Sequence, residues 1–353
     1  MSVFSTFLRR IPVLCALFIF IFSVARGQHG EPAQAIEEEA EVEAKFDASE
    51  VILHHVMDDH VWHLFDGHSG TIFLPVIVYS PEKGLDVFSS HHFYNDHHQQ
   101  VEYNGYKLDG HHIALTSTGE HVLDLSITKN VAMLLINAVL LVVIVLSVAN
   151  GYRKNSGKAP KGIQSFFEPV ILFIRDEVVK PNIGRQYEKF LPYLLTLFFF
   201  ILFGNLLGLL PGAGNLTGNI AVTLVLAVLT FIITNINGNK GYWSHIFWTP
   251  GLPWWMRFVI LPVEIIGIFT KPISLTVRLF VAITAGHIVI LALIALTFIF
   301  GSIWVGVGSS ILVLFISLIE LLVAGIQAYV FTLFTALYIG MAIADHEHHD
   351  DHH

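Results

Sequence analysis

Long runs without charge set the plan of this chain. The stretch VAMLLINAVLLVVIVLSVAN (131–150) holds no ionisable group. A helix needs about 20 apolar residues to cross a bilayer, so this run predicts one span. FLPYLLTLFFFILFGNLLGLLPG (190–212) predicts a second, with Pro192 near its start and Pro211 at its end. IAVTLVLAVLTFIITNI (220–236) predicts the return span. Residues 258–342 form two longer apolar tracts, divided near GSIWVGVGSS (301–310). The first covers about 40 residues, which as a helix reach about 60 Å against a hydrocarbon thickness of about 30 Å. Such a tract has to tilt steeply, lie nearly in the membrane plane, or break.

The polar segments between these runs supply the rest of the organisation. Residues 1–27 read as a secretory signal peptide: Arg9 and Arg10 precede the short apolar core IPVLCALFIFIFSV (11–24), and small residues offer a cleavage site. EPAQAIEEEAEVEAKFDASE (31–50) is an acidic lead. GTIFLPVIVYS (70–80) and VEYNGYKLDG (101–110) alternate like strands joined by Gly, Pro and Asn turns. Residues 28–128 therefore read as a small β-rich exported domain. The loop after the first span carries Arg153, Lys154, Lys158 and Lys161 and no acid, which places it in the cytoplasm. Residues 163–184 mix apolar runs with Glu168, Arg175, Asp176, Glu177 and Lys180, as an amphipathic helix at the cytoplasmic interface does. Trp243, Trp248, Trp254 and Trp255 crowd the next boundary. A membrane domain over 129–345 and a His-rich cytoplasmic tail at 346–353 complete the expected layout. The fold class is thus mainly α and polytopic, with a small β-rich exported domain.

Composition agrees. The chain is 54% hydrophobic and only 13% charged, against about 25% charged for ordinary soluble domains. The single cysteine, Cys15, excludes a disulfide framework and a CxxC metal site. There is no basic stripe for nucleic acid and no phosphate-binding loop, so the chain is expected to be no enzyme by itself and to hold no cofactor.

The apolar tracts hide a few polar residues. Glu264, Lys271 and Arg278 recur every seven residues, nearly two helical turns, and so share one stripe. Ala282, Ala285 and Gly286 continue that face at small size, where another helix can approach. His287 faces another direction. Glu320 and Gln327 are again seven apart. Paired as a hairpin, the tracts bring His287 near Glu320 and Gln327 near Arg278. Each such residue alone is compatible with a structural ion pair or a packing hydrogen bond. Together, ionisable groups inside a membrane mark an ion or proton path. A secondary transporter is a competing class, although no internal repeat is visible. A metal-sensing membrane protein led by HHVMDDHVWH (54–63) and HHFYNDHH (91–98) is another. No specific metal site is assigned.

PVEIIGIFTKPISLTVRLFVAITAGHIVI (262–290) resembles the signature of subunit a of the bacterial F-type ATP synthase, the stator part of its membrane motor. GNLLGLLPG (204–212) and IQAYVFTLFTALYI (326–339) resemble two further elements of that family, and the likeness covers roughly 130–345. The resemblance implies that Arg278 is the essential arginine facing a ring of c subunits. It implies that His287 and Glu320 hold the proton-path positions with Glu and His exchanged. It places Gln327 opposite the arginine, and Glu264, Ser274, Asn205 and Asn219 along two half-channels. Val281, Ala282 and Gly208 depart from the family pattern. The implied partners are the c-subunit ring, the b subunits and, indirectly, the catalytic F1 sector. The implied place is the inner membrane, with the N-terminal domain outside. The implied shape is a pair of near-horizontal helices at about 260–300 and 305–342.

Overall fold

The computed structural model describes residues 58–344, apart from short segments at 64–70, 82, 96–99, 110–111, 118, 121, 155–158, 211–212 and 248–253. The expected signal peptide, the acidic lead and the tail at 346–353 lie outside the described residues.

Ahead of the helices, the chain folds into small antiparallel pieces. β1 (Val61–His63) pairs with β2 (Thr71–Phe73). β3 (Pro75–Ser80) lies between β4 (Gly84–Ser89) and β7 (Leu123–Asp124). β5 (Tyr106–Asp109) and β6 (His112–Leu115) form a separate hairpin. The period of two buries Val76 and Val78 while Tyr79 points out. A core of Val76, Val78, Phe93, Tyr106, Ile113 and Leu115 forms behind β3. Asn104 and Gly105 both adopt positive φ in the turn before β5, a conformation that Asn and Gly tolerate best.

From Lys129 on, the described residues are helical or connecting. α1 (Lys129–Lys154) is followed by α2 (Ile163–Phe173), which runs through a π-helical turn (Ile174–Val179) into the short α3 (Lys180–Ile183). Then come α4 (Tyr187–Gly208), α5 (Ile220–Ile236) and α6 (Lys240–Phe247). The last two helices are long: α7 (Trp254–Phe300) has 47 residues and α8 (Ile303–Ile343) has 41. At 1.5 Å per residue they reach about 70 and 60 Å. Among the described residues four helices are long and apolar enough to cross a membrane, counting Ile163–Gly208 as one run, and the bent pair α5–α6 makes up to five.

The chain turns between α7 and α8 within two residues, Gly301 and Ser302, with Gly301 at φ 55°. The break is therefore shorter than the 301–310 stretch expected from the sequence, because Trp304 to Ser310 continue as helix. The segment at 163–184 is helical, but its π turn buries Ile174, Val178 and Val179 completely in the main core.

That core gathers Leu194 and Ile201 of α4, Leu275, Leu279 and Ile283 of α7, and Phe331 and Ile339 of α8. Along α8 the buried positions Ala324, Ala328, Thr332, Ala336 and Gly340 recur every fourth residue. That spacing makes one narrow ridge of small side chains, over which a neighbouring helix packs closely. Gly340 is the tightest point, since a β-carbon there would run into the Asn182 carbonyl. Outward faces are apolar too: Val139 is 63% exposed on α1 and Leu318 64% on α8, as a lipid-covered surface requires.

Candidate functional site

The tight turn after Phe300 lays α8 back along α7, and the register of that hairpin decides which polar residues meet. His287 of α7 reaches Glu320 of α8: Nδ1 lies 3.4 Å from Oε1. The carboxyl side chain is 2% exposed, and neither of its oxygens has a hydrogen-bond partner among the described residues. The contact is thus a close approach without hydrogen-bond alignment. Gly286 makes room for it, because a β-carbon there would sit 2.8 Å from Glu320 Oε1.

Nine residues back, Arg278 takes a different environment. Its Cζ lies 4.4 Å from the centroid of the Phe334 ring. Among the described residues no carboxylate comes within ion-pair distance of the guanidinium. Lys271, on the same stripe, lies 5.3 Å from the Tyr338 ring centroid. The neighbouring surface of α7 is open and small or apolar: Ser274 and Ala285 are exposed, and Val277 and Val281 are 48% and 49% exposed.

The other expected residues separate into two kinds. Gln327 makes no hydrogen bond with Arg278 among the described residues. The hairpin register sets the aromatic ring of Phe334 against the arginine, and Gln327 precedes that ring by seven residues on α8. Glu264 is half-buried and interacts electrostatically with Lys271 and Tyr242 without a close ion pair among the described residues. Asn205 and Asn219 make structural hydrogen bonds. Asn205, 1% exposed, donates from Nδ2 to the Ala324 carbonyl at 3.1 Å and accepts from Thr217 Oγ1 at 2.7 Å. It brackets α4 to α8. Asn219 is the N-cap of α5 and accepts from the Ala221 N–H at 2.9 Å.

Sequence reasoning passed over a hydroxyl-rich region beside Lys271. The Tyr193 hydroxyl lies 3.0 Å from Thr230 Oγ1, which lies 3.5 Å from Thr335 Oγ1. A small cavity next to them is lined by Thr230, Thr234, Asn235, Tyr242, Lys271 and Tyr338. Thr234 Oγ1 is buried there without a partner among the described residues. The available signal was the spacing of Thr223, Thr230 and Thr234 on one face of α5.

Outside the helices, several ionisable groups have close partners. His60, 2% exposed, lies 2.7 Å from Asp124 through Nε2 and Oδ2. Burial alone would raise the Asp124 carboxyl, but hydrogen bonds from His60 and Ser126 hold it below the usual carboxylate range. The Tyr106 hydroxyl donates to Asp86 at 2.7 Å, and burial pushes its phenol up to about 12. Asp58 accepts from Thr128 Oγ1 and from the Asn130 N–H, so it caps the start of α1 from a distance. Among the described residues no three His, Cys, Asp or Glu side chains converge to hold a metal ion.

A family model described as "ATP synthase A chain" matches residues 131–340, the span that contains the whole α7–α8 hairpin site. The chain belongs to that family. A second model, for a domain of unknown function, matches residues 51–134. "ATP synthase subunit a 2" of Chlorobaculum tepidum is 51% identical over 236 residues, covering 65% of this chain and 66% of that protein. "ATP synthase subunit a" of Chlorobium phaeobacteroides is 39% identical over 339 residues, covering 94% of this chain and 86% of that protein. The like-named protein of an Anaeromyxobacter species is 38% identical, with 91% and 77% covered. As a subunit a of the bacterial type, the chain is a non-catalytic, multi-pass membrane component of the ATP synthase Fo stator, serving ATP synthesis and proton transport.

Proposed function

We propose that Arg278 and the His287–Glu320 pair form the working interface of this stator with a turning ring of c subunits. Two half-channels lead protons to and from that interface. The observation that carries the reading is the state of Arg278: a permanent cation on an apolar hairpin, with an aromatic ring beneath it, no counter-ion among the described residues, and a small-residue surface beside it. A carboxyl group carried by each c subunit is neutral while it faces lipid, where charge is costly. Opposite Arg278 its ionised form is favoured by the positive charge, so it gives up its proton there. Guanidinium does not deprotonate, so the cation persists and repels protons that would leak between the half-channels.

His287 and Glu320, 3.4 Å apart, are the groups on this chain that can pass a proton towards the ring. Glu264 and Ser274 line the approach on the Arg278 stripe, and Gln327 lies further along α8. Asn205 and Asn219 serve the same region by fixing α4 and α5 rather than by carrying protons. Each charge that crosses contributes about 2.3 kcal/mol per 100 mV of membrane potential. The hairpin lies steeply tilted along the ring, the b subunits hold the stator, the N-terminal domain is exported after a signal peptide, and the C-terminus is cytoplasmic.

The test is Arg278→Ala in the native complex. Proton-driven ATP synthesis is expected to vanish while the complex still assembles with its c ring. Normal coupled synthesis by that variant would overturn the reading.

A further inference from the structure

The arginine on this hairpin meets two requirements that conflict. It has to be held in one place, and it has to keep its charge for an incoming carboxyl group. A carboxylate partner would hold it but cancel the charge. A ring does otherwise: the face of an aromatic side chain attracts a cation through its quadrupole and contributes no net charge. We propose that Phe334 is a positioning residue for Arg278, seating the guanidinium on its ring and leaving the positive charge uncompensated towards the rotor. The proposal rests on the interface reading of Arg278 given above.

Three observations support the seat. Arg278 Cζ stands 4.4 Å from the Phe334 ring centroid, and no carboxylate lies within ion-pair distance among the described residues. Phe334 is half-buried and packs against the main core, so the ring is fixed from behind. Leu275 and Leu279, which flank Arg278 on α7, are 2% and 1% exposed in that same core. The arrangement also repeats one step along. Lys271 and Arg278 are seven apart on α7, Tyr338 and Phe334 four apart on α8, and Lys271 stands 5.3 Å from the Tyr338 ring. The two rings are neighbours, with centroids 6.0 Å apart. Two cations of one stripe are thus served by two rings of the facing helix. A planar guanidinium suits such a seat better than an ammonium, because it can lie flat on the ring.

The test uses the assembled complex in membrane vesicles, energised by a proton gradient, with ATP synthesis as the readout. Phe334→Leu removes the ring and keeps an apolar side chain; synthesis is expected to fall roughly tenfold. Phe334→Tyr and Phe334→Trp keep a ring and are expected to stay near the unsubstituted rate. Phenylalanines carrying one, two and three ring fluorines, placed at 334, drain the ring face of negative potential with little change in shape. A stepwise fall along that series is the expected result, and a merely structural role would not produce it. A flat fluorine series, or Phe334→Trp as damaging as Phe334→Leu, overturns the proposal. Arg278→Ala is run alongside. If it retains synthesis, the interface reading itself has failed. If it is inactive while the fluorine series is flat, only the seat has failed.

Discussion

The β-rich part and the α7–α8 hairpin hold their buried carboxyl groups in opposite ways. In the β-rich part each carboxyl group described above has donors: Asp124 has His60 and Ser126, Asp86 has Tyr106, and Asp58 has the Thr128 hydroxyl and the Asn130 N–H, while His60 Nδ1 has no partner among the described residues. In the hairpin the key groups are left short. Glu320 has no hydrogen-bond partner among the described residues, His287 stands 3.4 Å from it, and Arg278 rests on a ring. A saturated polar group fixes a structure, because removing either partner leaves the other unsatisfied. An unsaturated one is available to a visitor. The contrast marks one region as built to stay and the other as built to exchange.

The largest expected effect comes from Arg278→Ala, which should lower gradient-driven ATP synthesis by about a hundredfold or more, the scale of losing a preorganised electrostatic group. Thermal stability of the complex should hardly move. The reverse pattern is expected for Asp124→Asn: a loss of about 3 kcal/mol in the β-rich part, the lower end for breaking a buried pair, since Asp124 is 23% exposed. Proteolytic susceptibility of that part against temperature reports it, with little change in synthesis. Equal loss of synthesis from both variants would dissolve the contrast.

Gly286→Ala should reduce synthesis a few-fold, on the order of 1 kcal/mol, because its β-carbon displaces Glu320. Gly325→Ala is the control, as nothing lies within 4 Å of a β-carbon there. The smallest effect is alkaline. Tyr106 is held neutral by burial and by its bond to Asp86, with its phenol raised from 10 to about 12. Its contribution is complete below pH 10 and is lost as pH rises through about 12. Tyrosinate absorbance should show that late step, and Tyr106→Phe should remove it.

Much of this was legible in the sequence. Charge-free runs placed α1, α4 and α5 within a few residues, since a span announces itself by length alone. The seven-residue spacing put Glu264, Lys271 and Arg278 on one stripe, and hairpin pairing set His287 towards Glu320. What spacing could not give was the relative slide of α7 and α8. That depends on where the turn falls, and Gly301–Ser302 is shorter than the glycine-rich stretch suggested. Phe334 therefore went unnoticed as the neighbour of Arg278, hidden in a segment where aromatics are common. Nor could spacing give the hydrogen bonds of Asn205 to Ala324 and Thr217 or the capping bond of Asn219, since a polar side chain in an apolar run does not disclose its partner.

That two-residue turn has a wider consequence. Two rods of 47 and 41 residues share one short joint, so the chain length between Arg278 and Phe334 is a fixed ruler. One inserted residue in either rod would advance everything beyond it by about 1.5 Å and swing it by roughly 100°. Placed between His287 and Glu320, it would misplace the carboxyl–imidazole pair and the arginine seat in the same stroke. Single-residue insertions and deletions between 279 and 333 should therefore be far more damaging than most substitutions there, and insertions just outside the hairpin should be tolerated.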